Sequence, residues 1–368
     1  MRERLRHGWR AAAFTLELVA GDRARWLTGA HAPVEVTPHA VTHHGRVVTY
    51  ECYAVPDPRA RRRPAIVVTH GFTHEGAADP RLQALCRRLA RAGFVVVAPE
   101  FEEMRQYRLG TGDQADLEAV VAGLGAHAAI DVARVGVMAF SFGAAPALIG
   151  LAHAPLRDSV TFAVVFGGYF DLRRTFKYVL TGAYDGFGYH DRLPVPTVGD
   201  DRWKFLRGNL AMIPPSPTSH VLEEAAVRRI ADPAAAVDVR GCSDAERAAF
   251  ALIENRDPDR FDALYTAAAP FIDTWVQRLS PVHTAHTIRA QLILIHSFTD
   301  QKTPFIESIA MSQGVRSAPP PSLTLLNAFA HVDLRLNWRS LTSLMRDGLP
   351  GLVAVWRIVV AVMRAARL

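Results

Sequence analysis

Four apolar runs constrain this chain more than any other feature: PAIVVTHG (64–71), FVVVAPE (94–100), RVGVMAF (134–140) and TFAVVFGG (161–168). Each is short, rich in valine and bounded by turn residues. None alternates apolar with polar, so each reads as a strand buried on both faces. Segments with helical spacing separate them. In ADPRLQALCRRLARAG, Asp79 can cap a helix, Pro80 suits its first position and Gly93 suits its end. DQADLEAVVAGLGAH is a second helical stretch. Buried strands alternating with helices predict an α/β chain with a mostly parallel central sheet covered by helices on both faces. Ahead of them, VEVTPHAVTHHGRVVTYECYAV reads as two strands joined at His44-Gly45.

The alternation stops between residues 173 and 285. No good buried strand is found there, only helical stretches: RWKFLRGNLAM, TSHVLEEAAVRRIA, SDAERAAFALIEN and PDRFDALYTAAAPFIDTWVQRL. Ser243 and Glu246 match a capping box, and Asp257-Pro258 is a good helix start. Strands return at QLILIHS (291–297) and SLTLLNAF (322–329), with a helix at PFIESIAMSQG between them and another from about Ser340. The expected organisation is one α/β core from 1–172 and 286–368, including an N-terminal helix and the hairpin. An inserted helical lid, 173–285, lies over the carboxyl ends of the strands, where such sheets bind ligands. Of the lid aromatics Trp203, Phe205, Phe250, Phe261, Tyr265, Phe271 and Trp275, most are expected to bury against the sheet domain and a few to line a pocket.

The 368 residues carry a formal charge of +6, almost all of the positive side being arginine, since lysine occurs only at 177, 204 and 302. The dense run Arg59, Arg61, Arg62 and Arg63 reads as a solvated loop. No aromatic-interleaved basic stripe or zinc-finger spacing points to nucleic acid. Three scattered cysteines make no disulfide framework and suit a reducing, cytoplasmic setting. The N-terminus begins basic and turns apolar, but Glu17, Asp22 and Arg23 interrupt the signal-peptide pattern. No run of about 20 apolar residues suggests a spanning helix. In PGLVAVWRIVVAVMRAARL, Arg357, Arg364 and Arg367 share one helical face. This reads as a last helix packed on the sheet. A second reading, with the N-terminal helix around Leu5, Trp9, Ala13 and Leu16, is peripheral membrane or homodimer contact.

Chemistry enters at AFSFG. Ser141 ends a buried strand and opens a helix, with Ala139 and Gly143 two places to either side. This is the G-x-S-x-G strand–turn–helix pattern with alanine at the first glycine. The sharp turn leaves room only for very small neighbours and exposes the hydroxyl at the top of the sheet. It also aims the Phe142 N–H where negative charge develops. A nucleophilic serine needs a base, and the base an orienting carboxylate. FTDQKTP places Asp300 just beyond one strand, and AHVD places His331 just beyond the next. All three groups thus fall on one rim of the sheet, in the order expected of this architecture. The second oxyanion donor is expected in the loop after the first central parallel strand, at the N–H of Phe72, with Gly71 allowing close approach.

Other residues were weighed against these. His296 lies within a strand and reads as a core histidine. His283 and His286 precede that strand, at its wrong end. Asp273 reads as a solvated lid carboxylate, and Asp333 as a loop or helix-start residue. His70 and His74 are four apart but have Gly71 between them and no third ligand, so no metal or cofactor site is expected. Glu100, Glu102 and Glu103 read as a solvated loop, or as a site for a peptide amine.

On IVVTHGF, FVVVAPEF, RVGVMAFSFGAAPAL, LILIHSFTDQKTP and FAHVDL, the chain resembles an α/β-hydrolase of the bacterial esterase and dienelactone-hydrolase-like group. The resemblance spans about 64–335 without the lid. It implies Ser141 as nucleophile, His331 as base and Asp300 as orienting acid; the lid aromatics favour a small-molecule ester or thioester with a hydrophobic acyl group. The chain departs from the usual pattern at Ala139, Ala144 and Ser297. Two alternatives stay open: a prolyl-oligopeptidase-like peptidase or amidase, and a catalytically silent binding member of the fold.

Overall fold

The computed structural model describes residues 11–18, 32–43, 45–193, 201–326 and 349–368. Its strands are β1 (Glu35–His43), β2 (Arg46–Ala54), β3 (Arg63–Thr69), β4 (Val95–Pro99), β5 (Ile130–Phe140), β6 (Val160–Phe166), β7 (Ala183–Gly186), β8 (Tyr189–Arg192), β9 (Gln291–Ser297) and β10 (Ser322–Leu326). Eight of them form one sheet in the order β1-β2-β4-β3-β5-β6-β9-β10. The hairpin β1–β2 joins it antiparallel to β4, and every other neighbouring pair is parallel. The strand expectations hold, with β5 beginning earlier than its apolar run. The turn of the β1–β2 hairpin uses Gly45 at φ +77°, a conformation that costs glycine little.

The numbered helices are α1 (11–18), α2 (Pro80–Ala92), α3 (Gly112–Gly123), α4 (Ala144–Leu151), α5 (Leu172–Thr181), α6 (Arg202–Gly208), α7 (Ser219–Ala231), α8 (Asp244–Glu254), α9 (Pro258–Arg278), α10 (Ile306–Gly314) and α11 (Leu349–Ala365). Single turns between them are left unnumbered. The caps are as the sequence implies. Asp79 accepts from the Arg81 N–H at the start of α2, Gly93 ends it at φ +116°, and Ser243 with Glu246 forms a complete capping box on α8.

Strand periodicity divides the core into two faces. Ala65, Val67, Val97, Val137, Val165 and Leu294 point to one, packed by α3, α4 and the helices of 172–278. Ile66, Val68, Val96, Met138, Val164 and Ile295 point to the other, covered by α1, α2 and α11. The inner face of α11 is Val355, Val359, Val362 and Met363; its outer face exposes Val353 and Trp356 beside Arg357. No helix of the described residues is long and apolar enough to cross a membrane.

The order of crossovers opens a crevice. The chain leaves β3 through α2 on one face to reach β4, but leaves β5 through α4 on the other face to reach β6. The loops after β3 and β5 therefore diverge between adjacent strands, the place where open α/β sheets bind ligands.

Between β6 and β9 stand α5 to α9 and the small hairpin β7–β8. That hairpin has largely exposed residues and no counterpart in the sequence reading. The rings of Trp203 and Phe250 pack together at a tilt of 43° within this block, with centres 5.4 Å apart.

Candidate active site

Ser141 follows β5 directly and starts the turn Ser141–Gly143 that leads into α4. Its backbone has φ +52° and its side chain is buried. A non-glycine residue rarely adopts this conformation, which costs on the order of 1–3 kcal/mol and persists only where surrounding packing enforces it.

The packing is visible in the glycines. A Cβ on Gly143 would stand 2.0 Å from the His70 carbonyl oxygen, and one on Gly71 would stand 3.0 Å from the Ser141 Cβ and 3.6 Å from the Phe142 nitrogen. The crowding at Gly143 thus comes from the neighbouring strand's loop, not from β5 itself. Two of the three departures from the usual pattern, Ala139 and Ala144, find their explanations nearby. Ala139 turns its methyl into the α4-side core between Thr69 of β3 and Val165 of β6. Ala144 faces Gly168, where an added Cβ would lie 2.5 Å from the Ala144 methyl.

Asp300 lies in the loop after β9 and is buried. Its Oδ1 accepts from the Lys302 N–H at 2.8 Å and the Thr303 N–H at 3.1 Å. Its backbone carbonyl accepts from the Tyr178 hydroxyl of α5, and Thr303 Oγ1 donates to the Gly167 carbonyl after β6 at 2.6 Å. These bonds hold the acid loop at the rim where the loop after β6 also emerges. His296 is a satisfied core histidine: Ser308 Oγ lies 2.7 Å from Nδ1 and the Thr303 carbonyl accepts from Nε2 at 3.1 Å. Its Nε2 is 3.6 Å from Asp300 Oδ2, so it also backs the acid. His331 and Asp333 lie outside the described residues.

From the elbow a row of rings runs toward the helical block. Phe72 stacks on Phe142 at 4.7 Å and on Tyr107 at 5.2 Å, and it approaches Phe205 of α6 at 6.1 Å. Tyr107 is a second strained position, buried at φ +56°. The Asn209 amide donates to its carbonyl at 2.9 Å. Nothing in the sequence marks Tyr107, because the contacts of its ring and its carbonyl are long-range. Lys204 Nζ sits 5.2 Å from its ring centre and pairs with Asp201 at 3.2 Å; Lys302, just beyond the acid, reaches the same carboxylate at 2.7 Å.

Of the remaining candidates, Asp273 accepts from Tyr265 and Gln277 in the helical block. His74 is exposed. Glu103 is not a free loop carboxylate, and the reading of it as solvated or as an amine site is corrected. It accepts from the Gly112 and Asp113 N–H groups at the start of α3, while Asp113 accepts from the Glu103 and Met104 N–H groups. Burial first, and the Glu103 charge second, push the Asp113 carboxyl up to about 7. Among the described residues no group of histidine, cysteine and acidic side chains could hold a metal ion. Two clefts, of about 640 and 680 Å³, have neither Ser141 nor Asp300 among their lining residues.

No family model matches this sequence, and no curated protein matches it. Solved structures do. The chain is similar to the acylaminoacyl peptidase of Pyrococcus horikoshii, at 12% identity over 93% of this chain and 43% of that one, with a TM-score of 0.51. It is similar to a puromycin-hydrolyzing peptidase of Mycobacterium tuberculosis, at 12% identity over 92% and 40%, also with 0.51. A dienelactone hydrolase from Anabaena variabilis matches at 11% identity over 90% and 97%, with 0.46. The chain spans only 41–43% of the length of the acylaminoacyl peptidases it matches. With the sheet order and the crossovers above, the likeness establishes the α/β-hydrolase fold.

Proposed function

We propose that this protein is a serine hydrolase that cleaves a carboxylic ester or thioester through an acyl-enzyme at Ser141. The observation that carries the reading is the backbone of Ser141, held at φ +52° between β5 and α4 by the packing of Gly71 and Gly143. Strain of this kind at an enclosed hydroxyl has no use in a simple strand–helix connection.

In the proposed reaction Ser141 Oγ attacks the substrate carbonyl while His331 takes its proton. Asp300, already fixed by two backbone N–H groups, orients the imidazole and balances its charge. The N–H groups of Phe142 and Phe72 receive the oxyanion. The leaving group departs with the proton from His331. Water, deprotonated by the same imidazole, then releases the acid and restores the serine. Ser141 is buried and the ring row beside it is closely packed, so the block 173–285 acts as a lid over a hydrophobic acyl site.

A fluorophosphonate probe should label wild-type protein at Ser141. Ser141→Ala should abolish labelling and lower kcat by roughly 10⁴-fold. Absence of labelling favours a silent binding protein. Parallel assays on p-nitrophenyl esters of graded chain length and on aminoacyl anilides separate the ester reading from the peptidase one; faster anilide cleavage would replace the first with the second.

A further inference from the structure

The loop that carries Phe72 has a support that the proposed reaction does not yet use. His70 is 2% exposed and its ring is held at both nitrogens. The Phe101 N–H donates to Nε2 at 3.1 Å, and Nδ1 lies 2.9 Å from the carbonyl oxygen of Gly71, the next residue. A backbone N–H can only donate, so Nε2 must accept. Nδ1 therefore carries the hydrogen and donates to the Gly71 oxygen. Glu100 Oε1 also stands 3.3 Å from Nε2. Only the opposite neutral tautomer breaks the bond, and the Phe101 N–H excludes it.

The Gly71 carbonyl and the Phe72 N–H belong to one planar peptide, and in a trans peptide they point in opposite directions. Fixing the carbonyl on His70 turns the Phe72 N–H away from His70. Gly71 also faces the elbow: a Cβ added there would stand 3.0 Å from the Ser141 Cβ and 3.6 Å from the Phe142 nitrogen. We infer that His70 is a positioning residue that locks the Gly71–Phe72 peptide so that its N–H faces the oxyanion. This inference rests on the serine-hydrolase reading of Ser141. It explains why an imidazole is buried under a glycine turn: an aliphatic side chain would fill the volume but leave the peptide free to rotate.

The test uses the two amides that copy one nitrogen each. In His70→Asn the side-chain nitrogen falls near the Nδ1 position and can still donate to the Gly71 carbonyl. In His70→Gln the amide reaches the Nε2 position and can satisfy the Phe101 N–H but not Gly71. Losing an oxyanion donor costs about 10²–10³-fold in rate, and a loosened donor costs less. His70→Gln should therefore lower kcat about 10–100-fold on a p-nitrophenyl ester with KM nearly unchanged, and His70→Asn should stay within about 3-fold of wild type. Equal losses in the two variants, tracking their melting temperatures, would reduce His70 to a packing role and overturn the inference.

Two further readouts separate this failure from that of the underlying reading. Wild-type protein that neither reacts with fluorophosphonate nor turns over ester fails the reading itself, and the inference falls with it. Labelled wild type with equal variant losses fails the inference alone. The ring nitrogens of His70, followed by ¹⁵N NMR on histidine-labelled full-length protein, should show hydrogen on Nδ1; hydrogen on Nε2 alone would also overturn the inference.

Discussion

The sheet and the helical block are held together by different physics. In the sheet, position is set by backbone register and by the absence of side chains. Gly71, Gly143 and Gly168 bring the loops after β3, β5 and β6 into contact around Ser141. The block shares the apolar core of one sheet face, and a few long polar side chains also tie it to that frame. Glu307 of α10 accepts from the Phe170 and Asp171 N–H groups at 2.8 and 2.7 Å and from the Arg174 guanidinium of α5. Asn209 bonds the Tyr107 carbonyl and the Leu109 N–H, Trp275 Nε1 donates to the Leu109 carbonyl, and Tyr169 Oη donates to the Leu279 carbonyl. A frame built on close approach tolerates no added atoms. The polar hooks can be removed one at a time, which lets the proposed lid role be tested.

The sharpest break of the frame is Gly143→Ala. The new methyl would meet the His70 carbonyl at 2.0 Å, and that oxygen is backbone, so the loop or the elbow must move. Overpacking usually costs about 1–3 kcal/mol, and a backbone clash belongs at or above the upper end. Loss of fluorophosphonate labelling with a clear fall in melting temperature is expected. Retention of both would mean that the frame is softer than its glycines imply.

The corresponding break in the block is Glu307→Gln, which leaves Arg174 without its counter-charge. Breaking a fully buried pair costs about 3–5 kcal/mol; the Arg174 guanidinium still reaches some solvent, so about 2–3 kcal/mol is expected. The distribution of the loss matters more than its size. Amide exchange should quicken in α5 while β9 keeps its protection. Equal acceleration in both would show that block and sheet open as one unit and would weaken the lid proposal.

How much of this was legible follows the same division. Buried strands announce themselves by local continuity, so β3, β4, β6 and β9 fall within two residues of their apolar runs, and β9 coincides with QLILIHS. The elbow was legible because its small residues sit at fixed offsets from Ser141. Its partners were not: that Gly168 makes room for the Ala144 methyl depends on a contact between β6 and α4 that no local pattern encodes. The hooks were invisible for that reason. Glu307, Asn209 and Tyr178 are ordinary residues at ordinary positions until the fold brings their hydrogen-bond partners to them. The β7–β8 hairpin was missed because AYDG and YHDR carry no apolar signal, although Gly186 and Gly188 at positive φ mark its turn. His331 was placed by the strand before it and by chain order, and falls outside the described residues.

The smallest expected effects come from pH, and they distinguish the two regions by sign. Asp113, beneath the sheet's flank, is raised from 3.8 to about 7 by burial and then by Glu103. The folded state then holds a proton that the unfolded state gives up. Its contribution is full below about pH 4 and is lost as pH rises toward 7. Glu246, in the block, behaves oppositely. Burial alone would raise it, but hydrogen bonds from Ser216, the Ser243 N–H and Thr218 outweigh burial and lower it from 4.5 to about 2. Its contribution is present above about pH 4.5 and is lost as pH falls toward 2. Denaturant unfolding from pH 3 to 8 should therefore show Asp113→Asn flattening the decline between pH 4 and 7, while Glu246→Gln flattens the acid limb below 4.5. With exchange read separately in α3 and α8, the first change should appear near α3 and the second in α8. If both variants altered the same limb, the two carboxylates would be coupled through a common unfolding step, and the hooks between sheet and block would be strong enough to make them a single body at these pH values.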